Sequence, residues 1–262
     1  MDKKIILKAQ NITKKFSGLV AVNKMNVEIY DGERHAIIGP NGSGKTTFIN
    51  VITGFYTPEE GQVIFDGQDI TLDKSYDRTK KGISRTFQNI RLFDDMSIEE
   101  NIALGMHVNS DYNLLETILH VGRYKKQEKE IFDYVHKVSE DLKIKDILKQ
   151  NVSELPYGKR RIVEIARGLV AKPKIILLDE PAAGMNNKEV LELADIIRYI
   201  SDSKITVILI EHNMDFVKDI SNTVTVMESG AKIAEGDFDT VSSNPQVIEA
   251  YLGKGVKRNA VN

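Results

Sequence analysis

The sequence predicts an α/β fold with a mixed, mainly parallel central sheet, on three observations. A glycine-rich stretch, Gly39-Pro40-Asn41-Gly42-Ser43-Gly44-Lys45-Thr46-Thr47, stands between a short apolar run and a helical pattern. A second apolar run, Ile175-Ile176-Leu177-Leu178, ends in Asp179-Glu180, as expected of a central parallel strand buried on both faces. A helix-rich, highly charged stretch from about residue 94 to 165 interrupts this pattern and reads as an inserted helical subdomain.

The first of these carries the most chemistry. It fits G-x-x-x-x-G-K-[ST], a loop whose backbone N–H groups and lysine cradle nucleotide phosphates. Asn41, Gly42, Ser43, Gly44, Lys45, Thr46 and Thr47 are the candidate phosphate contacts. Lys45 supplies a point charge for the β- and γ-phosphates and Thr46 a hydroxyl for Mg²⁺. His35-Ala36-Ile37-Ile38 reads as a buried strand before the loop, and Thr47-Phe48-Ile49-Asn50-Val51-Ile52 begins a helix after it. The loop therefore falls where a helix N-terminus attracts an anion. The sequence predicts binding of a nucleoside triphosphate.

Composition narrows the setting. Charged residues are 28% and hydrophobic ones 41% of 262 residues, as in an ordinary globular protein with a sizeable core. A formal net charge of −2 offers no basic field for nucleic acid or an anionic membrane. With no cysteine, disulfides, thiolate metal sites and cysteine nucleophiles are excluded. The apolar run Ile5-Ile6-Leu7 is too short for a signal peptide, and no apolar stretch approaches the ~20 residues that span a bilayer. A soluble chain is expected, with any membrane role coming through a partner.

Along the chain, Ile5, Leu7 and Ala9, and then Met25, Val27 and Ile29, alternate with polar residues as half-buried strands do. Lys14-Lys15-Phe16-Ser17-Gly18 is expected to be a loop between them, its Phe16 able to stack on an adenine or to fill the core at a strand end. Gln62 to Phe65 with Asp66-Gly67 predicts a hairpin, and Ile83 to Phe87 a strand ending in Gln88. Gln88 can reach a metal or water, or can be a plain polar loop residue. Ser97 and Glu100 form a capping-box signature for a helix to about Leu104. Helix is expected again through much of Tyr112 to Leu148, with Ile131, Val135, Val138 and Leu142 on its apolar face and a solvated surface at Arg123 to Lys129.

Leu155-Pro156-Tyr157-Gly158-Lys159 precedes a helix with Ile162, Ile165, Ala166 and Leu169 on one side. This is an anion site or an ordinary loop-to-helix junction. In phosphate-loop enzymes an acid ending a strand such as Ile175 to Asp179 holds Mg²⁺, a role that suits Asp179. Glu180 can polarise an attacking water. Asn186 and Glu189 predict the cap of a helix bearing Val190, Leu193, Ala194 and Ile197. His212 follows the strand Ile205 to Ile210, where it can contact a γ-phosphate or serve the structure alone. A hairpin at Thr223 to Ala234, a closing helix from Ser242 to Leu252 and a frayed tail at 254–262 complete the expectation.

The order of these features resembles the ATP-binding subunits of ABC transporters over about 5–253. RTFQNIRLF, LPYGKRRIVEIAR, LLDEPAAGMN, ILIEHNM and NPQVIEAYLG are similar to the LivG-type ATPases of branched-chain amino acid uptake. The resemblance implies a P-loop NTPase of the ABC type with an N-terminal antiparallel β part. Its nucleotide-binding core would comprise 1–93 and 166–253, and its helical subdomain with the signature loop 94–165. It further implies ATP and Mg²⁺ as cofactors, Phe16 on the adenine, Thr46, Gln88 and Asp179 on the metal, Glu180 as catalytic base, Gln88 on the metal and water, and His212 on the γ-phosphate. Pro156, Tyr157 and Gly158 would meet the ATP held by a second ATPase subunit, identical or related. Transmembrane permease subunits would dock on Arg91, Leu92, Phe93 and the start of the helical insert. A periplasmic or extracellular solute-binding protein would act indirectly, and the chain itself would be cytoplasmic, peripheral on the inner face of the cell membrane.

Two departures bear on this. The common signature loop reads LSGGQ, whereas here Pro156, Tyr157 and Lys159 replace Ser, Gly and Gln. Proline brings neither N–H nor hydroxyl. The frequent Asp in the loop after Glu180 is Asn186. These changes suggest a second reading, a nucleotide-binding regulatory module with little hydrolysis. A third, an ABC ATPase of DNA repair or translation, suits neither the length nor the charge.

Overall fold

The structure, a computed structural model, describes residues 4–109 and 123–252. The chain forms two compact units, residues 1–78 with 197–262, and residues 79–196.

In the first unit, β1 (Ile5–Phe16) and β2 (Leu19–Tyr30) form a hairpin. Its turn is Ser17-Gly18, with φ of 41° and 92°, the sign that two-residue primed turns require. Lys14 to Phe16 therefore lie in a strand, paired as far as Phe16 with Leu19, and not in the expected loop. The lysines are accommodated because each meets an acid: Lys14 with Glu59 at 2.6 Å and Lys15 with Glu60 at 3.3 Å. With β4 (Glu60–Phe65) and β5 (Gln68–Asp69) these strands make a four-stranded antiparallel sheet in the order β2-β1-β4-β5.

A second layer of strands is mixed. β3 (Arg34–Ile38) runs parallel to both β8 (Thr206–Ile210) and β9 (Thr223–Glu228), and β9 is antiparallel to β10 (Ala231–Gly236). Ala36, Ile37, Val207 to Ile210 and Val224 to Met227 are buried, as a doubly covered sheet demands. Helix α1 (Lys45–Ile52) follows β3 and buries Phe48, Ile49, Val51 and Ile52. Its orphan C-terminal carbonyls are met by Arg78, from α2 (Ser75–Lys81), which donates to Val51 O at 2.6 Å and Ile52 O at 2.7 Å. Burial lowers the Arg78 pKa to about 10, still far above neutrality, so the cap is charged.

The expected closing helix from Ser242 to Leu252 is two helices, Phe238–Ser242 and Pro245–Leu252. Pro245 has no N–H and disfavours helical geometry at Asn244. The Asn244 side chain instead accepts from Gln246 N–H at 2.9 Å and starts the second helix. The expected tail at 254–262 lies outside the described residues.

In the second unit, β6 (Ile83–Arg85) pairs in parallel with β7 (Ile175–Asp179), Ile83 opposite Ile175 and Arg85 opposite Leu177. All of β7 is buried. β6 stops short of the expected Phe87 because, after Thr86 donates to Leu177 O at 2.9 Å, other groups take over the backbone. Helix α3 (Ile98–Ala103) opens with the predicted capping box of Ser97 and Glu100. α4 (Arg123–Asp141) buries Val135 and Val138, Leu142 is buried just beyond it, and Ile131 is partly covered. The expected helix from Tyr112 to 122 and the surface side chains of 123–128 lie outside what is described. α5 (Tyr157–Val170) buries Ile162, Ile165, Ala166 and Leu169 as its spacing predicted. α6 (Asn187–Asp202) leads back to the first unit, with Leu193, Ala194 and Ile197 buried and Val190 only partly so.

Candidate active site

In the first unit the glycine-rich stretch joins the end of β3 to the start of α1. A Cβ at Gly39, where φ is +151°, would lie 2.1 Å from Met227 O, so the loop runs against β9 only because that position has no side chain. The loop is pinned further by Gly230 N–H donating to Ser43 O at 2.9 Å and Asn23 N–H donating to Gly230 O at 2.8 Å. Gly44, at φ 99°, is the N-cap of α1, with no side-chain hydrogen bond to the first turn and no acidic residue in it. The positive end of the helix dipole is thus offered to an outside anion. The Ser43 hydroxyl is buried with no hydrogen-bond partner among the described residues, a group that an oxygen-rich ligand can satisfy. The Lys45 ammonium folds back on its own loop, donating to Gly39 O at 2.7 Å and Pro40 O at 3.1 Å. Thr46 is exposed and Thr47 half-buried; Asn41 and Gly42 are exposed.

Phe16 is 39% exposed and so does not fill the core. It meets Tyr56 edge-on, with ring centroids 5.2 Å apart, and the Lys14 ammonium lies 5.3 Å from its ring centre. The exposed His212 stands two residues beyond Ile210, which is level with Ile37 in the parallel register. It therefore lies at the same carboxyl edge of the strands as Gly39. Glu211, itself buried, accepts from His212 N–H at 3.0 Å, and Asn213 caps the next helix through Phe216 N–H at 3.1 Å. These bonds fix the backbone on both sides of the histidine.

The second unit gathers the remaining predicted side chains. The Gln88 amide N–H donates to Glu180 Oε2 at 2.9 Å, so two residues 92 apart in sequence are neighbours. The amide oxygen is the end of Gln88 not spent on this bond. Glu180 has φ +48°, an uncommon setting for a side chain other than glycine or asparagine, and it ends the strand line at β7. Asp179 is buried and paired with Arg85 at 2.8 Å. Pro156 is the N-cap of α5 and makes no side-chain cap bond, Tyr157 is 44% exposed, and Gly158 is buried against Glu189. Asn186 caps α6, its side chain accepting from Lys188 N–H at 3.0 Å and Glu189 N–H at 3.1 Å.

Sequence reasoning passed over Arg85, Arg161 and Glu164. Arg161 is fully buried, donating to Phe87 O at 2.7 Å, Gln88 O at 2.8 Å and Glu164 at 2.7 Å. Arginines in a charged helical stretch carry no local signal of burial. The two helical neighbours of opposite sign at a spacing of three were the available hint.

A glycine-rich loop that leaves a buried parallel strand and enters a helix through an uncapped N-terminus is the local mark of a phosphate-loop nucleotide-binding protein. The chain belongs to the ABC transporter family, which it matches over residues 22–183. Residues 231–257 also match the family described as branched-chain amino acid ATP-binding cassette transporter. It is 38% identical over 95% of its length to the high-affinity branched-chain amino acid transport ATP-binding protein BraF of Pseudomonas aeruginosa, covering 98% of that protein. With the LivG protein of Escherichia coli, described in the same terms, it shares 36% over 95% of this chain and 98% of that one. Among solved structures it is similar to a nucleotide-free ATP-binding cassette from an ABC transporter, at 34% identity and a TM-score of 0.84, covering 95% of this chain and 100% of the other. The family binds nucleotide, as the ADP conformation of another such cassette, at TM-score 0.84, illustrates. Among the described residues no helix is long and apolar enough to cross a membrane.

Proposed function

We propose that this chain is the ATP-hydrolysing subunit of an importer for branched-chain or related amino acids. The observation that carries the reading is the N-terminus of α1, where Gly44 gives no side-chain cap, the first turn holds no acid and the Ser43 hydroxyl is buried without a hydrogen-bond partner among the described residues. On binding, Lys45 exchanges the carbonyls of Gly39 and Pro40 for phosphate oxygens, and the amides of 42 to 47 cap the negative charge. Phe16, held edge-on by Tyr56, stacks on the adenine.

Magnesium takes hard oxygen donors, and the groups of this chain suited to it are the Thr46 hydroxyl in the first unit and, in the second, the Asp179 carboxylate and the Gln88 amide oxygen. When bound, the ion neutralises charge on the β- and γ-oxygens. Glu180 accepts the proton of the attacking water, Gln88 orients both, and His212 donates to the γ-phosphate. Pro156, Tyr157 and Gly158 serve the nucleotide of a second ATPase subunit, identical or related. Arg91, Leu92, Phe93 and the start of the helical insert receive permease subunits, which keep the protein on the inner face of the membrane, with a solute-binding protein acting through the permease and with no nucleic acid involved.

Glu180→Gln tests the reading. Removing a general base costs roughly 10²- to 10⁴-fold in rate, so phosphate release should fall by that factor while ATP binding persists and dimer accumulates. Unchanged turnover rejects Glu180 as the base. A parent protein that binds ATP but releases no phosphate supports the regulatory reading instead.

A further inference from the structure

The loop that carries Gln88 is held by a buried ionic cluster on one face of α5. Arg161, 0% exposed, sends one guanidinium nitrogen to Phe87 O at 2.7 Å and the other to Gln88 O at 2.8 Å. One turn and a half further on, Arg167 donates to Arg91 O at 2.5 Å. Glu164, 2% exposed, lies between them and accepts from Arg161 at 2.7 Å. Arg85 and Arg91 flank the Phe87 ring with guanidinium carbons 5.3 and 4.6 Å from its centre. Three carbonyls of one short loop are thus gripped by charged donors, which are stronger and more directional than neutral ones.

Arg161 reaches a further group. The nitrogen that holds Gln88 O also donates to the Tyr157 hydroxyl at 3.3 Å, at the first residue of α5. The Gln88 side chain in turn donates to Glu180. A single guanidinium therefore stands between the start of α5 and the Gln88–Glu180 pair. An apolar side chain of the same size would pack as well, but it would leave two buried carbonyls without donors and the loop without a fixed register.

We propose that Arg161 is a positioning residue for ATP hydrolysis, holding the main chain of Gln88 so that its amide meets Glu180 and tying that geometry to Tyr157 at the head of the signature helix. The proposal rests on the reading of Gln88 and Glu180 as the groups around the attacking water. Displacement of Tyr157, the residue expected to face the second subunit's nucleotide, then reaches the hydrolytic pair through one side chain rather than through a general shift of the fold.

The test uses the full-length chain and four variants: Arg161→Met with Glu164→Leu, Gln88→Ala, the combination of these, and Arg161→Lys. Removing Arg161 and Glu164 together leaves neither of these two charges unpaired, but takes from Arg167 its acid at 3.9 Å, a pair that Arg161→Lys leaves in place. ATP affinity, read with a fluorescent analogue, should stay within about twofold, since the loop around Lys45 is untouched. The turnover number should fall roughly 10- to 100-fold, the usual cost of losing a group that orients a reacting one. Adding Gln88→Ala should lower it no further, because both changes act on one element. Arg161→Lys keeps the charge against Glu164 but cannot fork to two carbonyls. It too should slow turnover with affinity retained, and it decides the matter if the double variant does not fold. Full turnover in the double variant or in Arg161→Lys overturns the proposal, as do effects that multiply with Gln88→Ala. Normal turnover in Gln88→Ala alone overturns instead the reading of Gln88, and with it the route proposed for Arg161.

Discussion

Replacing Gly44 by alanine tests the phosphate loop through its covalent geometry. At φ 99° an added Cβ would lie 2.3 Å from Ala21 O and 3.3 Å from the Cα of Gly230, roughly 1 Å inside normal contact with the carbonyl. Both neighbours are backbone, so no side chain can swing away. The left-handed conformation costs about 1–2 kcal/mol for an L-residue, and forced overpacking about 1–3 kcal/mol. The sum, about 2–5 kcal/mol, corresponds to a fall in Tm of about 5–15 °C at the few degrees per kcal/mol typical of chains near this size. Gly42→Ala is the control, since φ there is 80° but nothing lies within 4 Å of the added carbon. It should lose only the conformational part, about 1–2 kcal/mol. Saturating MgATP at a hundred times Kd should stabilise the parent by about 2.7 kcal/mol. Gly44→Ala should lose that increment as well, because the clash is relieved by moving the residue that opens α1. Thermal melts with and without nucleotide read both effects. If Gly44→Ala melted like Gly42→Ala and gained as much from MgATP as the parent, the geometry assigned to this loop would be wrong.

Two further outcomes follow from buried charges away from the loop. Arg78→Met strips the C-terminal carbonyls of α1 of their charged donor, and should lower the urea midpoint by the equivalent of about 3 kcal/mol; a change under about 0.5 kcal/mol, typical of a surface site, contradicts the capping role. Glu99, buried beneath His136 at 2.6 Å and also paired with Lys149, is desolvated, which raises its pKa, but the bonds from Lys149 and His136 outweigh this and hold it below the usual range. The stabilisation is therefore complete above the unfolded value of about 4.3 and is lost as pH falls through the lower folded value. Urea midpoints taken from pH 7 to pH 3 should drop less steeply for Glu99→Gln than for the parent, and equal slopes refute the assignment.

What the residues disclosed in advance follows the range of the forces involved. The strand–loop–helix at 34–52 and the apolar strand ending in Asp179 were legible because each is a local pattern with one physical reading. The capping box at Ser97 and Glu100 and the apolar face of α5 were legible for the same reason. Lys14 and Lys15 pointed to a loop because their acids, Glu59 and Glu60, lie 45 residues away in the chain. Pro245 lies inside the helix expected from Ser242 to Leu252, and the break it makes with Asn244 is local chemistry that the expectation passed over. Arg161 and Glu164 could not be placed in the interior from sequence, because the partners that make burial tolerable are carbonyls of a loop more than 70 residues earlier. The proximity of Gln88 to Glu180 is likewise a product of the β6–β7 pairing, which brings Arg85 level with Leu177.

The most direct measurement is a crystal structure of the Glu180→Gln protein grown with MgATP. The triphosphate should lie against the backbone amides of 42 to 47, with the Lys45 ammonium turned from the carbonyls of Gly39 and Pro40 onto phosphate oxygens. A nucleotide bound elsewhere, or Lys45 still bonded to those two carbonyls at saturating ATP, would contradict the account.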